Sequence, residues 1–304
     1  MKDKLLTICI PTYKRAKELD RSLICFEKEL KSVDVSLVEF FISDNCSPDN
    51  TSDIVEKYVG KGLPIIYSRN EENIGPDNNF LKCFYAARSK YLWLLGDDDY
   101  IVGGILKKIL DILQKNNIGC LNIKCMNMIS NGTHVFKDNQ EFLITVGHWL
   151  TFMSGNIICT DFIKSTSVTD WLRKSYLLQM PFFIDAILQH STNIVLKEEV
   201  FERCDDDSNG GYNFYKVFVA NYLFLWKSYL YRGEIKWITY WEIKRRVLSY
   251  FVYPFTKKFF LQNKFPNIDK RKGWLTLLRN YWFEPYFYWY CMKFLCAFCK
   301  NKIK

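Results

Sequence analysis

Tyr91-Leu92-Trp93-Leu94-Leu95-Gly96-Asp97-Asp98-Asp99 is the stretch on which the fold turns. Five apolar residues in succession are too water-averse for a surface segment. A run of this length and composition, ended by a glycine, predicts a buried strand. Strands buried on both faces belong to parallel sheets covered by helices. Three adjacent carboxylates at the carboxyl end of such a strand repel one another and call for a cation. A hard divalent ion, Mg²⁺ or Mn²⁺, accepts oxygen ligands and takes substrate phosphates as further ligands. The bland alternative is a solvated acidic turn. Asp205-Asp206-Asp207 fits that alternative, because no apolar strand precedes it and Asn209-Gly210-Gly211 follows it as a loop.

Upstream, strand and helix signals alternate. Leu5 to Ile10 is an apolar run stopped by Pro11, and residues 15–31 place Leu19, Leu23, Phe26 and Leu30 on one helical face. Val38 to Ile42 predicts a second strand, and Asn50 or Thr51 is expected to cap a helix over roughly 52–59. Pro64 to Ser68 predicts a third strand and Asp77 to Ser89 a helix. Downstream, Gly103-Gly104 opens a helix to Gln114 carrying Leu106, Ile109, Leu110 and Leu113, and a fifth strand is expected between Gly119 and Ile129. Ser154 to Ile158 reads as a turn into a strand, Trp171 to Gln189 as mainly helical, and Tyr215 to Tyr231 as a long aromatic helix. The alternation predicts an α/β fold with a mostly parallel sheet flanked by helices.

In open sheets of this kind, ligands bind beyond the carboxyl ends of the strands. The polar clusters obey that rule. Pro11 to Arg15 follows strand one, Asp44 and Asn45 follow strand two, Asn73, Gly75 and Asn79 follow strand three, and Asp97–Asp99 follow strand four. All are therefore expected on one rim.

These stretches carry a resemblance. Ile10-Pro11-Thr12-Tyr13-Lys14-Arg15, Ile42 to Asp49, Asn73 to Asn79 and Leu94 to Asp99, in that order and spacing, resemble the inverting glycosyltransferase family 2. The resemblance covers residues 5–105 and implies the Rossmann-like GT-A fold, with a nucleotide-sugar donor and a divalent metal. It implies that Pro11, Thr12 and Tyr13 line the nucleoside pocket, Tyr13 with an aromatic face for the base. Arg15 would approach the diphosphate or open the helix in solvent. Asp44 would hydrogen-bond base or ribose, and Asn73, Gly75 and Asn79 would form the wall beneath the nucleotide. Asp97 would meet ribose or a metal-bound water, Asp98 would belong to the donor site, and Asp97 and Asp99 would be the metal positions. The family often has another Asp where this chain has Gly96.

An inverting transfer needs a carboxylate to take the acceptor's proton. In the resembling family it lies downstream, at a helix start. Asp185, set in the apolar run Pro181 to Leu188, is the candidate, since desolvation raises a carboxyl pKa and makes a better base. His190, then Asp161 or Asp170, are the substitutes. Ser154-Gly155-Asn156 resembles the small-residue turn bordering the acceptor.

The chain carries 42 Lys and Arg against 33 Asp and Glu, an excess that favours phosphate-bearing or anionic partners. Basic residues recur among aromatic ones from Lys236 onward: Lys244-Arg245-Arg246, Lys257-Lys258, Lys270-Arg271-Lys272 and Lys300 to Lys304. Tyr281 to Cys299 is the most apolar span, but Glu284, Pro285 and Lys293 make a bilayer crossing expensive. Amphipathic segments on an anionic membrane surface fit this pattern; a helical appendage packed on the catalytic domain is the plainer alternative. Nucleic acid is not an expected partner. The expected organisation is a catalytic domain over 1–232, with a nucleotide-sugar half (1–120) and an acceptor half (121–232), and a helical aromatic and basic region over 233–304.

The N-terminal apolar run is too short for a signal peptide, and the 11 cysteines show no repeating frame. A cytoplasmic enzyme, peripheral on the inner face of the membrane, is therefore expected. Its acceptor would be a lipid-linked saccharide of surface polysaccharide, as the resemblance implies. A sugar nucleotidyltransferase is the enzymatic rival, weakened because Pro11 to Arg15 lacks a glycine-rich phosphate loop. A non-catalytic membrane-surface protein that retains the fold is the rival from another class.

Overall fold

The computed structural model describes residues 4–123, 130–202, 213–261 and 270–302. Asp205–Asp207, and the part of the expected fifth strand from 124 to 129, lie outside the described residues. The chain forms two compact units, Met1–Phe142 with Trp149–Thr169 and Leu178–Cys204, and Leu143–His148 with Asp170–Leu177 and Asp205–Lys304.

The first unit is a strand–helix alternation around one sheet. In chain order it contains β1 (Leu6–Thr12), α1 (Ala16–Glu29), β2 (Val38–Asp44), α2 (Thr51–Gly60), β3 (Ile65–Arg69), α3 (Pro76–Ala86), β4 (Tyr91–Leu94) and α4 (Ile105–Lys115). These are followed by β5 (Cys120–Asn122), β6 (Gly132–Phe136), α5 (Asn139–Val146, running into the second unit), β7 (Asn156–Cys159), α7 (Met180–Gln189) and β8 (Asn193–Lys197). Among the described residues the sheet has eight strands in the order β3-β2-β1-β4-β7-β5-β8-β6. β1, β2, β3 and β4 are mutually parallel, with Thr12 beside Asp44 and Cys9 beside Leu94. β7 enters antiparallel between β4 and β5, and β6 closes the edge antiparallel to β8.

The apolar runs become strands because they are buried throughout: every residue of β1 and β4 is buried. Leu19, Leu23 and Phe26 of α1 pack on the sheet, with Phe26 edge-on to Phe40 at 4.9 Å and to Trp93 at 6.4 Å. Leu106, Ile109, Leu110 and Leu113 make the buried face of α4. The first amides of α4 are satisfied from a distance: buried Glu29 accepts from Gly104 N (2.7 Å) and Leu106 N (3.0 Å). The cap of α2 differs from expectation. Asn50 and Thr51 make no side-chain cap, and instead Asp49 Oδ1 accepts from Thr51 Oγ1 (2.6 Å) and Thr51 N (3.3 Å). Asp49 also reaches Ala16 N with its other oxygen, so it serves two helix starts.

The second unit is helical: α6 (Asp170–Arg173), a π turn Lys216–Asn221 leading into α8 (Tyr222–Tyr231), and α9 (Trp237–Val247) continuing through a π turn into α10 (Tyr253–Leu261). α11 (Lys270–Tyr281) and α12 (Pro285–Lys302) complete it. Its core is aromatic, with Tyr215, Tyr222, Trp226 and Tyr281 buried and Phe214 stacked on Phe255 at 3.5 Å. Glu284 is nearly enclosed: it pairs with Lys244 Nζ (2.6 Å) and accepts from Trp241 Nε1 (3.0 Å). Among the described residues no helix is long and apolar enough to cross a membrane.

Candidate active site

The carboxyl ends of the parallel strands bring the expected clusters together. Strand β4 ends at Leu94, Leu95 still bonds through its amide to Cys9 O, and a tight turn (Asp99 N to Gly96 O, 3.2 Å) presents the acidic residues. Ser154 anchors this turn. Its hydroxyl accepts from Gly96 N (2.8 Å) and donates to Asp99 Oδ2 (2.5 Å), while its carbonyl accepts from Trp93 Nε1 (2.8 Å). Gly96 leaves room for the acids of the turn: a Cβ there would stand 2.6 Å from Asp99 Oδ2 and would require that side chain to shift.

The turn is tied to the end of β1. Thr12 Oγ1 donates to Asp97 Oδ2 (2.7 Å), and Arg15 pairs with Asp97 (3.2 Å) and Asp98 (2.6 Å). Asp97 is 5 % exposed, and burial pushes its carboxyl up to about 7 even though Thr12 and Arg15 act in the other direction. The position is thus short of positive charge.

Beneath the turn lies a network of neutral amides. Asn45 Nδ2 donates to Asn73 Oδ1 (2.8 Å), and Asn45 Oδ1 accepts from Asn70 Nδ2 (3.0 Å) and Ile74 N (2.9 Å). Asn79 accepts from Ser43 Oγ (2.7 Å) and donates to Ser43 O (2.9 Å). Gly75 bonds through its amide to Asn73 Oδ1 and takes φ 81°, a left-handed conformation suited to glycine, before Pro76 starts α3.

A pocket of about 360 Å³ opens over this surface, lined by Pro11, Thr12, Tyr13, Arg15, Asn45, Asn73, Asn79, Gly96, Asp97 and Asp98, with Pro76, Phe80 and Met153 as apolar walls. Most of the expected donor-site residues thus share one cavity. Asp44 does not line it. Its carboxylate is fully buried, with Oδ1 accepting from Ser47 N (2.8 Å) and Oδ2 held by Tyr67 Oη (2.6 Å) and Arg69 (3.3 Å). Its neighbour Asn45 lines the pocket instead. Gly75 and Asp99 border the structure of the site without lining the cavity.

Asp185 is not brought to the pocket either. α7 begins beside Thr151, whose carbonyl accepts from Gln179 Nε2 (3.2 Å), and descends toward His190. At 1.5 Å per residue, Asp185 sits roughly 9 Å below that start, where its Oδ2 accepts from Thr166 Oγ1 (2.8 Å). Asp185→Asn is expected to leave sugar transfer within about threefold of wild type, since Asp185 does not line the pocket and a hydrogen bond of this kind is worth about 1 kcal/mol. A turnover assay with donor-binding measured in parallel checks this; loss of turnover with intact donor binding would return the proton-accepting role to Asp185.

Comparison with known proteins identifies the family and the fold. Residues 7–173 match glycosyl transferase family 2, and the chain belongs to that family. It is 38% identical over 112 residues to abequosyltransferase RfbV of Salmonella typhimurium, covering 36% of this chain and 32% of that protein. It is 26% identical over 119 residues to the GalNAc(5)-diNAcBac-PP-undecaprenol beta-1,3-glucosyltransferase of Campylobacter jejuni, covering 39% of this chain and 36% of that protein. The matched stretch is therefore about a third of each curated relative. Among solved structures, the chain is similar to residues 1–349 of S. aureus TarS in complex with UDP, with a TM-score of 0.67 at 17% identity, covering 98% of this chain and 90% of that one. The fold is the expected GT-A fold.

Proposed function

We propose that this protein transfers a sugar, with inversion, from a nucleoside-diphosphate donor to the hydroxyl of a saccharide acceptor in surface-polysaccharide synthesis. The observation that carries the reading is the pocket that joins the acidic turn Asp97–Asp99 to Thr12, Tyr13 and Arg15 at the carboxyl rim of the sheet. The relatives' names support it: one is an abequosyltransferase, and another extends a saccharide on a PP-undecaprenol carrier. A lipid-linked acceptor follows as part of the proposal.

A divalent metal fits the residues present. The donors are hard carboxylate oxygens, and burial leaves Asp97 short of compensating positive charge. Among the described residues, the three acids do not converge on one point, because Asp97 and Asp98 are drawn to Arg15 and Asp99 to Ser154. Mg²⁺ or Mn²⁺ needs only one or two carboxylates when substrate phosphates supply the rest. Asp97 and Asp99, with Asp98 beside them, would hold it, and it would supply Lewis-acid stabilisation of charge on the departing diphosphate. The chain's own groups do the remaining work. Tyr13 and Phe80 offer apolar faces to the base, and the amides of Asn45, Asn73 and Asn79 hold the wall. Arg15, paired with Asp97 and Asp98 in the pocket lining, would be placed to meet the diphosphate. Ser154 keeps Asp99 oriented.

The test is thermal unfolding with UDP-, GDP-, dTDP- and CDP-sugars, each with and without Mn²⁺. A cognate donor at 100 times its Kd is expected to add about 2.7 kcal/mol, seen only with metal. No response to any donor, with or without metal, would count against the reading.

For the second unit we propose contact with an anionic membrane surface on the cytoplasmic side. α12 exposes Tyr288, Trp289, Met292, Leu295 and Phe298 with Lys293 lying 3.5 Å over the Trp289 ring, and Trp282 and Phe283 are exposed just before it. Aromatic rings with cations beside them suit the headgroup level. In liposome flotation, the full chain is expected to float with vesicles containing phosphatidylserine, and Trp289→Ser with Met292→Ser to reduce the floating fraction at least threefold. Equal flotation of both proteins would remove the membrane contact.

A further inference from the structure

The rim opposite the donor pocket carries a second grouping of metal-ligating side chains. β7 runs antiparallel to β4, so its last residue, Cys159, pairs with Tyr91, the first residue of β4. The acidic turn lies beyond the other end of that strand. Cys159, Asp161 and His190 each offer one ligand atom, and these atoms lie within 4.8 Å of one another. None of the three lines the donor pocket.

Gly119 holds the grouping together. Its carbonyl accepts from Cys159 N (2.9 Å), its amide donates to Thr192 O (3.0 Å), and a Cβ on it would stand 2.9 Å from His190 Cβ. The Phe162 ring meets the His190 ring edge-on at 5.4 Å and covers it. His190 Nδ1 is sealed from solvent and has no hydrogen-bond partner. A buried polar atom left so costs about 1–3 kcal/mol, and in native proteins it commonly marks a place for an ion or water. Asp161 is exposed and leaves one side of the grouping open to solvent.

We propose that Cys159, Asp161 and His190 form a binding site for a borderline-soft divalent transition cation, with Zn²⁺ as the natural occupant. Thiolate, imidazole and carboxylate are zinc donors, and three protein ligands leave a fourth position for water. Mg²⁺ and Mn²⁺ favour oxygen donors and fit this ligand set less well. Binding replaces the thiol proton of Cys159, which leaves to solvent; nothing is oxidised or reduced. A bound ion would fasten the end of β7 to the end of α7. This site stands independently of the transferase reading.

Titration of the full, reduced chain with Co²⁺ tests it. One equivalent is expected to bind with thiolate-to-cobalt charge-transfer absorption that Zn²⁺ abolishes and Mg²⁺ does not. Cys159→Ser should lose the band. Asp161→Asn should bind at least tenfold more weakly, given that losing even an outer-shell partner costs roughly 10–100-fold. A variant with Cys25, Cys46, Cys291, Cys296 and Cys299 all replaced by Ser, which removes the other accessible thiols among the described residues, and Asp97→Asn should both keep it. Absence of the band in wild type, its persistence in Cys159→Ser, or undiminished affinity in a folded Asp161→Asn protein would each overturn the proposal. Because Asp161 is exposed, that last variant carries the test even if Cys159→Ser does not fold.

Discussion

Asp97→Asn is expected to stop sugar transfer and, at pH 8, to make the ligand-free protein more stable. The Asp97 carboxyl is raised from its ordinary value of 3.8 to about 7 by burial, with Thr12 and Arg15 only partly opposing the shift. The folded chain therefore holds this proton more tightly than the unfolded chain does. Stability from this group is full below the unfolded value, declines as pH rises between the two values, and stays low above the folded one. The rise from 3.8 to about 7, in which the attraction of Arg15 is already counted, corresponds to about 4 kcal/mol at most. Urea unfolding at pH 5 and pH 8 measures it, and the difference between the two pH values should shrink in Asp97→Asn. A variant less stable than wild type at pH 8 would show the carboxylate to be a net stabiliser. Transfer should fall about 10²–10³-fold, the scale of losing one preorganised electrostatic group.

Gly119→Ala is expected to cost about 3 kcal/mol or more. The new Cβ would stand 2.1 Å from the carbonyl oxygen of Ala186 and 2.9 Å from both Asn193 Oδ1 and His190 Cβ. Neither side can yield cheaply. Ala186 lies inside α7, and Gly119 is bonded on both sides, to Cys159 and Thr192. Gly60→Ala is the matched control: it lies in α2 with nothing within 4 Å, and should be neutral or slightly stabilising. Chemical unfolding of both variants checks the contrast, and a Gly119→Ala protein as stable as wild type would show that α7 can move away from the sheet.

The parallel half of the fold was legible because its strands are continuous apolar runs that burial explains without tertiary knowledge. β1, β2, β3 and β4 all fall where Leu5–Ile10, Val38–Ile42, Pro64–Ser68 and Tyr91–Leu95 predict them, within two residues. β6 was not legible: Gly132–Phe136 has alternating exposure and little apolar character, as an edge strand can. β8 carries a readable signal, Ile194-Val195-Leu196, which the sequence expectation does not include. Within the site, strand ends could be placed but not faces. Asp44 and Asn45 are neighbours, and successive side chains of an extended segment point to opposite sides; the pocket faces Asn45. Asp185 is absent from the pocket lining for the related reason that helix phase and depth are set by what α7 packs against. Phe182 stacks on Phe84 at 4.0 Å, and that contact fixes where Asp185 lies. Cys159, Asp161 and His190 are separated by 31 positions at the extremes and meet only because β7 reverses direction.

The amide wall under the donor pocket has a practical consequence for enzymology. Asn45, Asn70, Asn73 and Asn79 hold their places through one another and through backbone groups, and an amide neither gains nor loses a proton across the working range. Under the proposed function, their part in donor recognition would be indifferent to acidity. On the proposed reading, any change of donor affinity across neutral pH should come from groups outside this wall, which should contribute a flat baseline.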